Sequence, residues 1–427
     1  MPRLFLALLF SPIFMLQAAT PDLSKITSRA DLEALIASTP EPVLKKALVD
    51  HASDVLSAAE RQPHVAAVIR TIEGAPGAFT KINTTPEELK RAAGGEIPLF
   101  DTLTQVNTGI QAGKAHAYRS AAEDPFDAAF LEHLGHIPSL ESVKIVATKI
   151  QDSWLPPLLK LKNLKSLSME GRAVGLPGQP ALGDPSLEQL EQLTPFEGLT
   201  SLELAYFANA TDAGLERLAG LKNLESFTFR GSPVKGHGFA KFKGWTKLTR
   251  INFHSNTLDD EGLGYVCENF PNLEFIKLWH SKLITDASAE HLGKLKKLTG
   301  IEISCSKASA GLLKHLHQSS LEYAAIEYGV NSPAADAIAN VKAIPTLRRL
   351  KLGGALTDAE LSSLAGATQL HELSVEMREL SEERLQQLQS FSFLKSLTLT
   401  LRGKGFPNDV QERVKALLPK VDVKFAQ

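Results

Sequence analysis

A glycine-rich segment near residue 110 is the first place where this chain could bind a phosphate. Gly109, Gly113 and Lys114 have the spaced glycines and the lysine of a phosphate-binding loop. The spacer is one residue shorter than such a loop requires, and Ala115 stands where a Ser or Thr hydroxyl would hold magnesium. We therefore predict no nucleotide site, and no other segment indicates a cofactor.

Two histidine pairs are the next candidates, because imidazole is a common metal ligand. His133 and His136 stand three residues apart, and His315 and His317 stand two apart. Neither pair has the second cluster of His or Cys that a zinc site needs. The nucleophile, zinc-protease and paired-cysteine motifs of common enzyme classes do not occur in the sequence. We predict no metal site and no catalytic residue, with an uncharacterised hydrolase as an open alternative.

The elements that would position any site follow from a repeat that fills most of the chain. The pattern L-x-x-L-x-L, whose first position is offset zero, starts at Leu140, Leu164, Leu199, Leu224, Leu248, Leu273, Leu298, Leu321, Leu347, Leu370, Leu394 and Leu418. Successive starts are 23–26 residues apart, except for one spacing of 35. Offsets three and five are apolar in every copy. This alternation predicts one short, buried strand in each repeat.

The second half of each repeat predicts a helix. Residues that can cap a helix N-terminus precede many of the starting leucines by about thirteen residues; they are Asp127, Ser186, Thr211, Asp260, Thr285, Thr357 and Ser381. Thr357 and Glu360 have the spacing of a capping box. Apolar residues then follow at three-residue steps, as in Leu215, Leu218 and Leu221. A unit of one strand and one helix cannot bury its apolar face alone, so the copies must stack into a solenoid.

Two segments give this repeat a family resemblance. Thr211–Leu215 and Thr357–Leu361 resemble the T-D-A-G-L turn of secreted bacterial leucine-rich repeat proteins. The repeat is similar in length to those of ribonuclease-inhibitor-like and F-box proteins. The resemblance covers residues 124–427 and implies an α/β leucine-rich repeat solenoid, with a parallel sheet on its concave face and helices on its convex face. It implies a non-enzymatic binding role and names no ligand.

The first nineteen residues are typical of a secretory signal peptide. Arg3 precedes the apolar run Leu4–Leu16, and small residues at 18 and 19 precede Thr20. The run is too short to cross a bilayer of about 30 Å. We therefore predict no stable membrane insertion after signal cleavage, and a secreted, periplasmic or cell-envelope location.

The repeat divides the remaining chain into two parts. Residues 20–123 lack the repeat, and helical patterns occur at Ala30–Ser38, Pro42–Glu60, His64–Glu73 and Pro86–Ala93. We expect this region to cover the first repeat as a helical cap, or to act as an independent docking module. Residues 124–427 should form the solenoid, with about twelve strands and a surface loop at Gly171–Pro185. The last repeat, Phe406–Phe425, predicts a C-terminal cap.

Strand alternation predicts which side chains meet a ligand. Offsets three and five point into the core, so offsets two, four and six lie on the concave face. The first three strands offer mainly small residues there, whereas later strands offer cationic, aromatic and amide side chains. Those that we assign to a ligand-binding patch are Arg230, Arg250, Asn252, His254, Phe275, Lys277, Trp279 and Tyr323. Exposed Trp, Tyr and Arg are the residue types most enriched at binding hot spots.

Charge and composition restrict the function further. The chain has 46 Lys and Arg against 48 Asp and Glu, so it lacks the overall basic field of a nucleic-acid binder. We expect a non-enzymatic, exported binding scaffold that recognises a protein or carbohydrate ligand and uses no cofactor. A structural cell-envelope protein that self-associates is the alternative. The sequence leaves the oligomeric state open.

Overall fold

The structure covers both parts of the chain that the repeat distinguishes. The computed structural model describes residues 22–109, 123–171, 182–328, 335–377, 379–401 and 405–426. The expected signal peptide and most of the loop Gly171–Pro185 lie outside the described residues. The chain forms two compact units. One contains the chain up to Ala67 together with Lys81–Leu103, and the other contains Val68–Thr80 and the chain from Thr104 onward.

Helices dominate the first unit. They are α1 (Arg29–Ser38), α2 (Pro42–Asp50), α3 (Ala52–Glu73) and α4 (Glu87–Ala93), with 3₁₀ turns at Leu23–Lys25 and Pro98–Phe100. The last residues of α3 belong to the second unit. The apolar faces meet in one core in which Leu48, Val55 and Leu89 are fully buried.

Several helix boundaries differ from the expectation. We expected separate helices at Pro42–Glu60 and His64–Glu73, whereas a break at His51 ends α2 and α3 runs through Pro63. Helix α4 begins one residue after the expected Pro86. Pro86 is its N-cap, and the preceding Thr85 hydroxyl accepts the Ile97 amide at 3.0 Å.

One sheet of fourteen strands runs through the described residues in sequence order. Its strands are β1 (Ala78–Asn83), β2 (Asp101–Asn107), β3 (Ser142–Val146), β4 (Ser166–Glu170), β5 (Ser201–Ala205), β6 (Ser226–Arg230), β7 (Arg250–Asn252), β8 (Phe275–Leu278), β9 (Gly300–Ser306), β10 (Tyr323–Tyr328), β11 (Arg349–Ala355), β12 (Glu372–Met377), β13 (Ser396–Leu401) and β14 (Asp422–Ala426). From β2 to β14 each strand pairs in parallel with the next.

The strand register follows the sequence repeat. Strands β3–β13 each begin two residues after a starting leucine, as Ser226 follows Leu224. Residues at offsets three and five are buried, and Phe227 and Phe229 are 0% exposed. Short helices or 3₁₀ turns connect the strands and bury their own apolar residues against this layer. The second unit is a leucine-rich repeat solenoid.

Helices of the second unit occupy the convex side of the repeats. The α-helices are α5 (Ala128–Gly135), α6 (Asp184–Leu190), α7 (Asp212–Glu216), α8 (Asp260–Asn269), α9 (Ala289–Leu292), α10 (Ala335–Lys342), α11 (Asp358–Leu364), α12 (Glu382–Leu388) and α13 (Asn408–Leu417). The 3₁₀ helices are Asp152–Trp154, Pro156–Lys160, Glu191–Leu193, Arg217–Gly220, His237–Lys241, Asp286–Ser288, Ala310–Gln318 and Gln389–Phe391. Within the part of the chain that the structure describes, no helix has the length and apolar character of a membrane span.

The last strand departs from the expected register by two residues. Val423 pairs with Leu397, which is an offset-three residue of its own repeat. Val423 and Phe425 therefore take the positions that we expected for Val421 and Val423. The apolar residue behind this error is Leu418, which follows helix α13 as its C-cap and is 1% exposed.

Most of the expected capping residues do cap helices. Asp127, Thr211, Thr285, Thr357 and Ser381 each accept a backbone amide of the first helical turn. Thr357 and Glu360 form the complete capping box. Two expectations are wrong, because Ser186 lies inside α6 and Asp259, not Asp260, caps α8.

Asp260 instead belongs to a set of aspartates that join neighbouring repeats. Its carboxylate accepts the Thr285 amide at 2.9 Å, the Thr285 hydroxyl at 2.6 Å and the Ser288 hydroxyl. Equivalent bridges join Asp184 to Thr211, Asp212 to Lys235 and Asp286 to Ser309. The second letter of the T-D-A-G-L turn is therefore a link from one helix start to the next.

The glycine of the same turn makes room for this link. A Cβ atom at Gly214 would lie 1.9 Å from Oδ1 of Asp184, and one at Gly311 would lie 2.5 Å from Oδ2 of Asp286. Any larger residue would displace the carboxylate of the preceding repeat. The Thr, Asp and Gly of the turn together form a hydrogen-bonded link that aligns each helix with the helix of the next repeat.

Replacing Asp260 tests whether this link between neighbouring repeats stabilises the fold. We expect Asp260→Ala to lower the free energy of unfolding by about 2 kcal/mol, because the Thr285 and Ser288 donors lose a charged acceptor. Denaturation in urea, followed by circular dichroism, measures the change. The exposed Glu290 on α9 is the control, and Glu290→Ala should stay within about 0.5 kcal/mol of the parent. Equal effects of the two substitutions would contradict a bridging role.

Candidate functional site

Seven of the eight predicted patch residues lie on or just after strands β7, β8 and β10. Arg250 pairs with Phe275 in the sheet register, and Asn252 pairs with Lys277. His254 and Trp279 follow the ends of their strands, so they lie at the same edge of the sheet. Tyr323 stands two strands beyond Phe275, and Gly300 lies between them.

Gly300 leaves room for the Phe275 ring between strands β8 and β10. A Cβ atom at this position would lie 2.6 Å from Cδ2 of Phe275 and 3.6 Å from Cδ1 of Tyr323. The Phe275 ring therefore occupies the space that a side chain at residue 300 would fill. The result is an aromatic surface that spans strands β8–β10.

Three cations of this region lie over aromatic rings. Cζ of Arg250 is 5.7 Å from the Phe275 ring centroid, and Nζ of Lys277 is 4.0 Å from that of Trp279. Cζ of Arg349 is 4.9 Å from the Tyr323 centroid. Ring quadrupoles attract cations in this geometry, so the rings hold the charged groups in place. Arg349 is not among the eight predicted residues, although the same offset rule places it on the concave face.

Glu302 is a second residue that the predicted patch omitted. Its carboxylate lies 3.2 Å from Nζ of Lys277 and accepts the Tyr323 hydroxyl at 3.2 Å. Its side chain is 15% exposed. Glu302 stands at offset four beside Lys277, so the sequence pattern contained the signal for this contact. Burial, together with the Glu302 charge, raises the pKa of Tyr323 to about 12.

Arg230 bonds toward the N-terminal strands and not toward the other seven residues. Nη2 of Arg230 lies 2.9 Å from Glu170, and Nε lies 3.4 Å from Glu203. Its guanidinium also lies over the Tyr206 ring, and its side chain is only 15% exposed. Burial opposes its charge, but Glu170, Tyr206 and Glu203 together raise the pKa of Arg230. These contacts favour a structural role for Arg230.

A residue with left-handed backbone conformation recurs at offset seven in five of the repeats. Tyr206, Ser255 and His280 have φ values of 58°, 60° and 57°, and Gly231 and Gly354 have positive φ at the same offset of seven. A non-glycine residue in this conformation costs about 1–2 kcal/mol. His280 directly follows Trp279, and its ring centroid lies 4.9 Å from that of His254. The strained turns therefore border the predicted patch.

Clusters of metal ligands and the Cys267 thiol are the remaining groups of the described residues that could carry chemistry. They contain no group of three His, Cys, Asp or Glu side chains that could hold a metal ion. Cys267 is free and buried, and this burial raises its pKa to about 12. A thiol with such a pKa stays protonated and packs as a small apolar group.

Comparisons with known proteins add a fold-level similarity. The sequence matches no family model, and no curated protein matches it. Among solved structures, the chain is similar to an internalin (InlF) from Listeria monocytogenes, with 20% identity, 69% of this chain and 70% of that chain covered, and a TM-score of 0.41. It is also similar to an internalin C2 of that organism, with 20% identity, coverage of 48% and 81%, and a TM-score of 0.36.

The two arginines of the predicted patch should differ in their effect on stability. We expect Arg230→Gln to lower the free energy of unfolding by on the order of 2 kcal/mol, because it removes the Arg230 ion pairs with the largely buried Glu170 and with Glu203. Arg250→Gln should change it by less than about 0.5 kcal/mol, because Arg250 is exposed. Parallel urea denaturation of both variants measures the difference. If the Arg250 variant were as unstable as the Arg230 variant, both arginines would have a structural role, and Arg250 would not be a residue kept for ligand binding.

The raised pKa of Tyr323 predicts a pH-dependent stability. An unfolded tyrosine ionises near pH 10.0, whereas folded Tyr323 stays neutral up to about pH 12. The folded state therefore loses the stability contributed by neutral Tyr323 as the pH rises through this window. We expect Tyr323→Phe to reduce the fall in stability over that range, measured by denaturant unfolding at several alkaline pH values. A near-ultraviolet phenolate titration that shows Tyr323 ionising near pH 10 would contradict the assignment.

Proposed function

We propose that this chain is an exported, non-enzymatic binding scaffold that recognises a protein or glycan ligand through its concave face. The proposed contact surface is the predicted patch with Arg230 left out. It consists of Arg250, Asn252, His254, Phe275, Lys277, Trp279 and Tyr323. The observation that carries the proposal is the cluster of cations held over aromatic rings on β7–β11. Such side chains bury a large area and keep their charge and hydrogen-bond donors for a partner.

The organisation of the sheet favours binding over catalysis. Parallel strands place side chains of equal offset in rows, about 4.8 Å from one strand to the next. A row presents an extended surface, whereas acid–base chemistry needs groups that converge on one atom. The partly exposed Trp279 and the exposed Arg250 lie at neighbouring strands of such a surface.

The proposed location outside the cytoplasm is supported by the N-terminal sequence. Arg3, the apolar run Leu4–Leu16 and the small residues before Thr20 are the features of a cleavable signal peptide. A secreted, periplasmic or cell-envelope scaffold would meet protein and glycan ligands there.

The proposed organisation of the chain includes a cap at each end of the repeats. Residues 20–123 would cover the first repeat, and the last repeat would close the array. Pairing of Gln105 with Ser142 and of Asn107 with Lys144 supports the first cap, because a strand outside the repeat continues the sheet there. Repeat arrays need such terminal elements to cover apolar surface.

Affinity capture from a cell-envelope extract tests the proposed function. We expect the parent protein to retain a ligand that an Arg250→Ala, Trp279→Ala double variant loses, with mass spectrometry or glycan analysis identifying the retained species. The matched control is Lys241→Ala with Leu283→Ala, which removes one exposed cation and one exposed apolar side chain elsewhere. All three proteins should have equal thermal midpoints.

The other outcomes of the capture experiment are equally informative. Equal retention by both double variants would place the ligand elsewhere and direct attention to residues 20–123. Retention by none of the three proteins, with light scattering that rises steeply with protein concentration, would favour the self-associating envelope protein.

A further inference from the structure

Most cations on the concave face already have a carboxylate partner. Of the seven Lys and Arg side chains on this face in the described parts of β3–β14, five form ion pairs; these are Lys144–Glu203, Arg230–Glu170, Lys277–Glu302, Lys351–Glu327 and Lys424–Asp422. Arg250 and Arg349 have no ion pair with any described residue, and both are exposed. They are therefore the two cations whose charge is available to a ligand.

The two available arginines share one row of the sheet. Both stand at offset two of their repeats, Arg250 on β7 and Arg349 on β11. Each guanidinium lies over an aromatic ring of the same row, that of Phe275 or Tyr323. Gly300 completes the row between the rings. The row thus has a cation at each end, and the Phe275 and Tyr323 rings lie between the two cations.

We propose that this row binds an extended acidic segment of a protein, with one carboxylate at Arg250 and a second at Arg349. This inference rests on the proposed function and specifies its ligand. Four strand spacings of about 4.8 Å separate the two arginines, which gives about 19 Å. An extended chain advances about 3.3 Å per residue, so the two carboxylates should stand about six residues apart. Apolar side chains between them would lie along the edges of the Phe275 and Tyr323 rings.

The placement of the cations favours a polypeptide over an acidic glycan. A sugar ring binds an aromatic side chain by stacking on an open ring face. Arg250 and Arg349 already lie over the faces of Phe275 and Tyr323, so the rings serve mainly to orient the guanidinium groups. Each guanidinium keeps donors for a carboxylate, the partner whose geometry it matches best.

Two acidic side chains of the protein restrict the positions at which the ligand can carry a carboxylate. Glu302 lies two residues after Gly300 on the middle strand of the row, where it is held by Lys277 and Tyr323. Glu372 pairs with Arg349 in the strand register and is exposed beyond it. A carboxylate between the two arginines, or after Arg349, would meet one of these like charges. The ligand should therefore have two separated acidic residues and not a continuous acidic run.

Labelled synthetic peptides test this spacing directly. The probe is Asp-Ser-Val-Ser-Val-Ser-Asp, in which both Asp and both Val side chains fall on one face of an extended chain. The control peptide, Asp-Asp-Val-Ser-Val-Ser-Ser, has the same composition with adjacent carboxylates. We expect fluorescence anisotropy at low salt to show roughly tenfold tighter binding of the spaced peptide, because only this peptide reaches both arginines.

Variants of the protein assign the binding to the two arginines. Arg250→Gln and Arg349→Gln should each weaken binding of the spaced peptide by about tenfold. The matched control is Lys351→Gln, which removes a paired cation from the same strand as Arg349 and should change binding by less than about twofold. Equal thermal midpoints of the variants exclude misfolding.

Several results would overturn the inference. Equal binding of the two peptides would contradict the requirement for two carboxylates six residues apart. If Lys351→Gln weakened peptide binding as much as the arginine variants do, the binding would depend only on the general positive charge of this face. Arg250-dependent binding of oligogalacturonate, without binding of the spaced peptide, would identify the ligand as an acidic glycan. If neither probe binds while the patch-dependent capture from envelope extract persists, the inference fails and the proposed function stands. If that capture also fails, both fail.

Discussion

A single repeat of this chain cannot bury its own apolar face, and the structure depends on the contacts that neighbouring repeats supply. Two sets of contacts fix how the copies align. The parallel backbone ladder aligns the strands from β2 to β14, with register shifts only at the ends of β10 and β11. On the helical side, carboxylates such as Asp260 bind the first residues of the next helix. Because both edges of a repeat are tied to the same neighbour, residues of equal offset fall into rows.

The interior behind the predicted patch is unusually rich in aromatic residues. Phe227, Phe242 and Phe270 are all buried, and their rings pack against the indole of Trp245. The Trp245 Nε1–H group donates to the Ala219 carbonyl at 2.9 Å, so this large side chain is buried without a lost hydrogen bond. Bulky rings of this kind leave little freedom for the strands that they support. Strands β6 and β7 therefore rest on a rigid layer.

The sequence was sufficient to predict the repeat, because periodicity reports burial. It predicted the inward residues of β3–β13 and most helix caps, each of which depends on local pattern alone. It failed at the last strand, where Leu418 satisfied the pattern but belongs to the end of α13. A pattern of apolar residues cannot distinguish a strand position from a helix cap when both are buried.

The candidate site could be predicted only in part, because pairing between side chains is not a property of one repeat. Arg230 and Arg250 both follow the offset rule, yet Arg230 is neutralised by acids two and one strands away on its N-terminal side. Arg250 has Ser226 and Phe275 as its row neighbours, neither of which can neutralise it. Whether a cation faces solvent as a free charge is decided by the neighbouring repeats.

Arg349 has two possible partners in its row, an aromatic ring and a carboxylate. Its row neighbours are Tyr323 on one side and the exposed Glu372 on the other, and its guanidinium lies over the ring and forms no ion pair with the acid. The phenol is itself fixed by Glu302, which also holds Lys277. The buried carboxylate at offset four therefore orders the aromatic side chain at offset two, and this ring in turn positions the arginine of the next repeat. Through such contacts a residue in one repeat sets the charge that another repeat presents, which is how an array of similar units acquires one distinct surface.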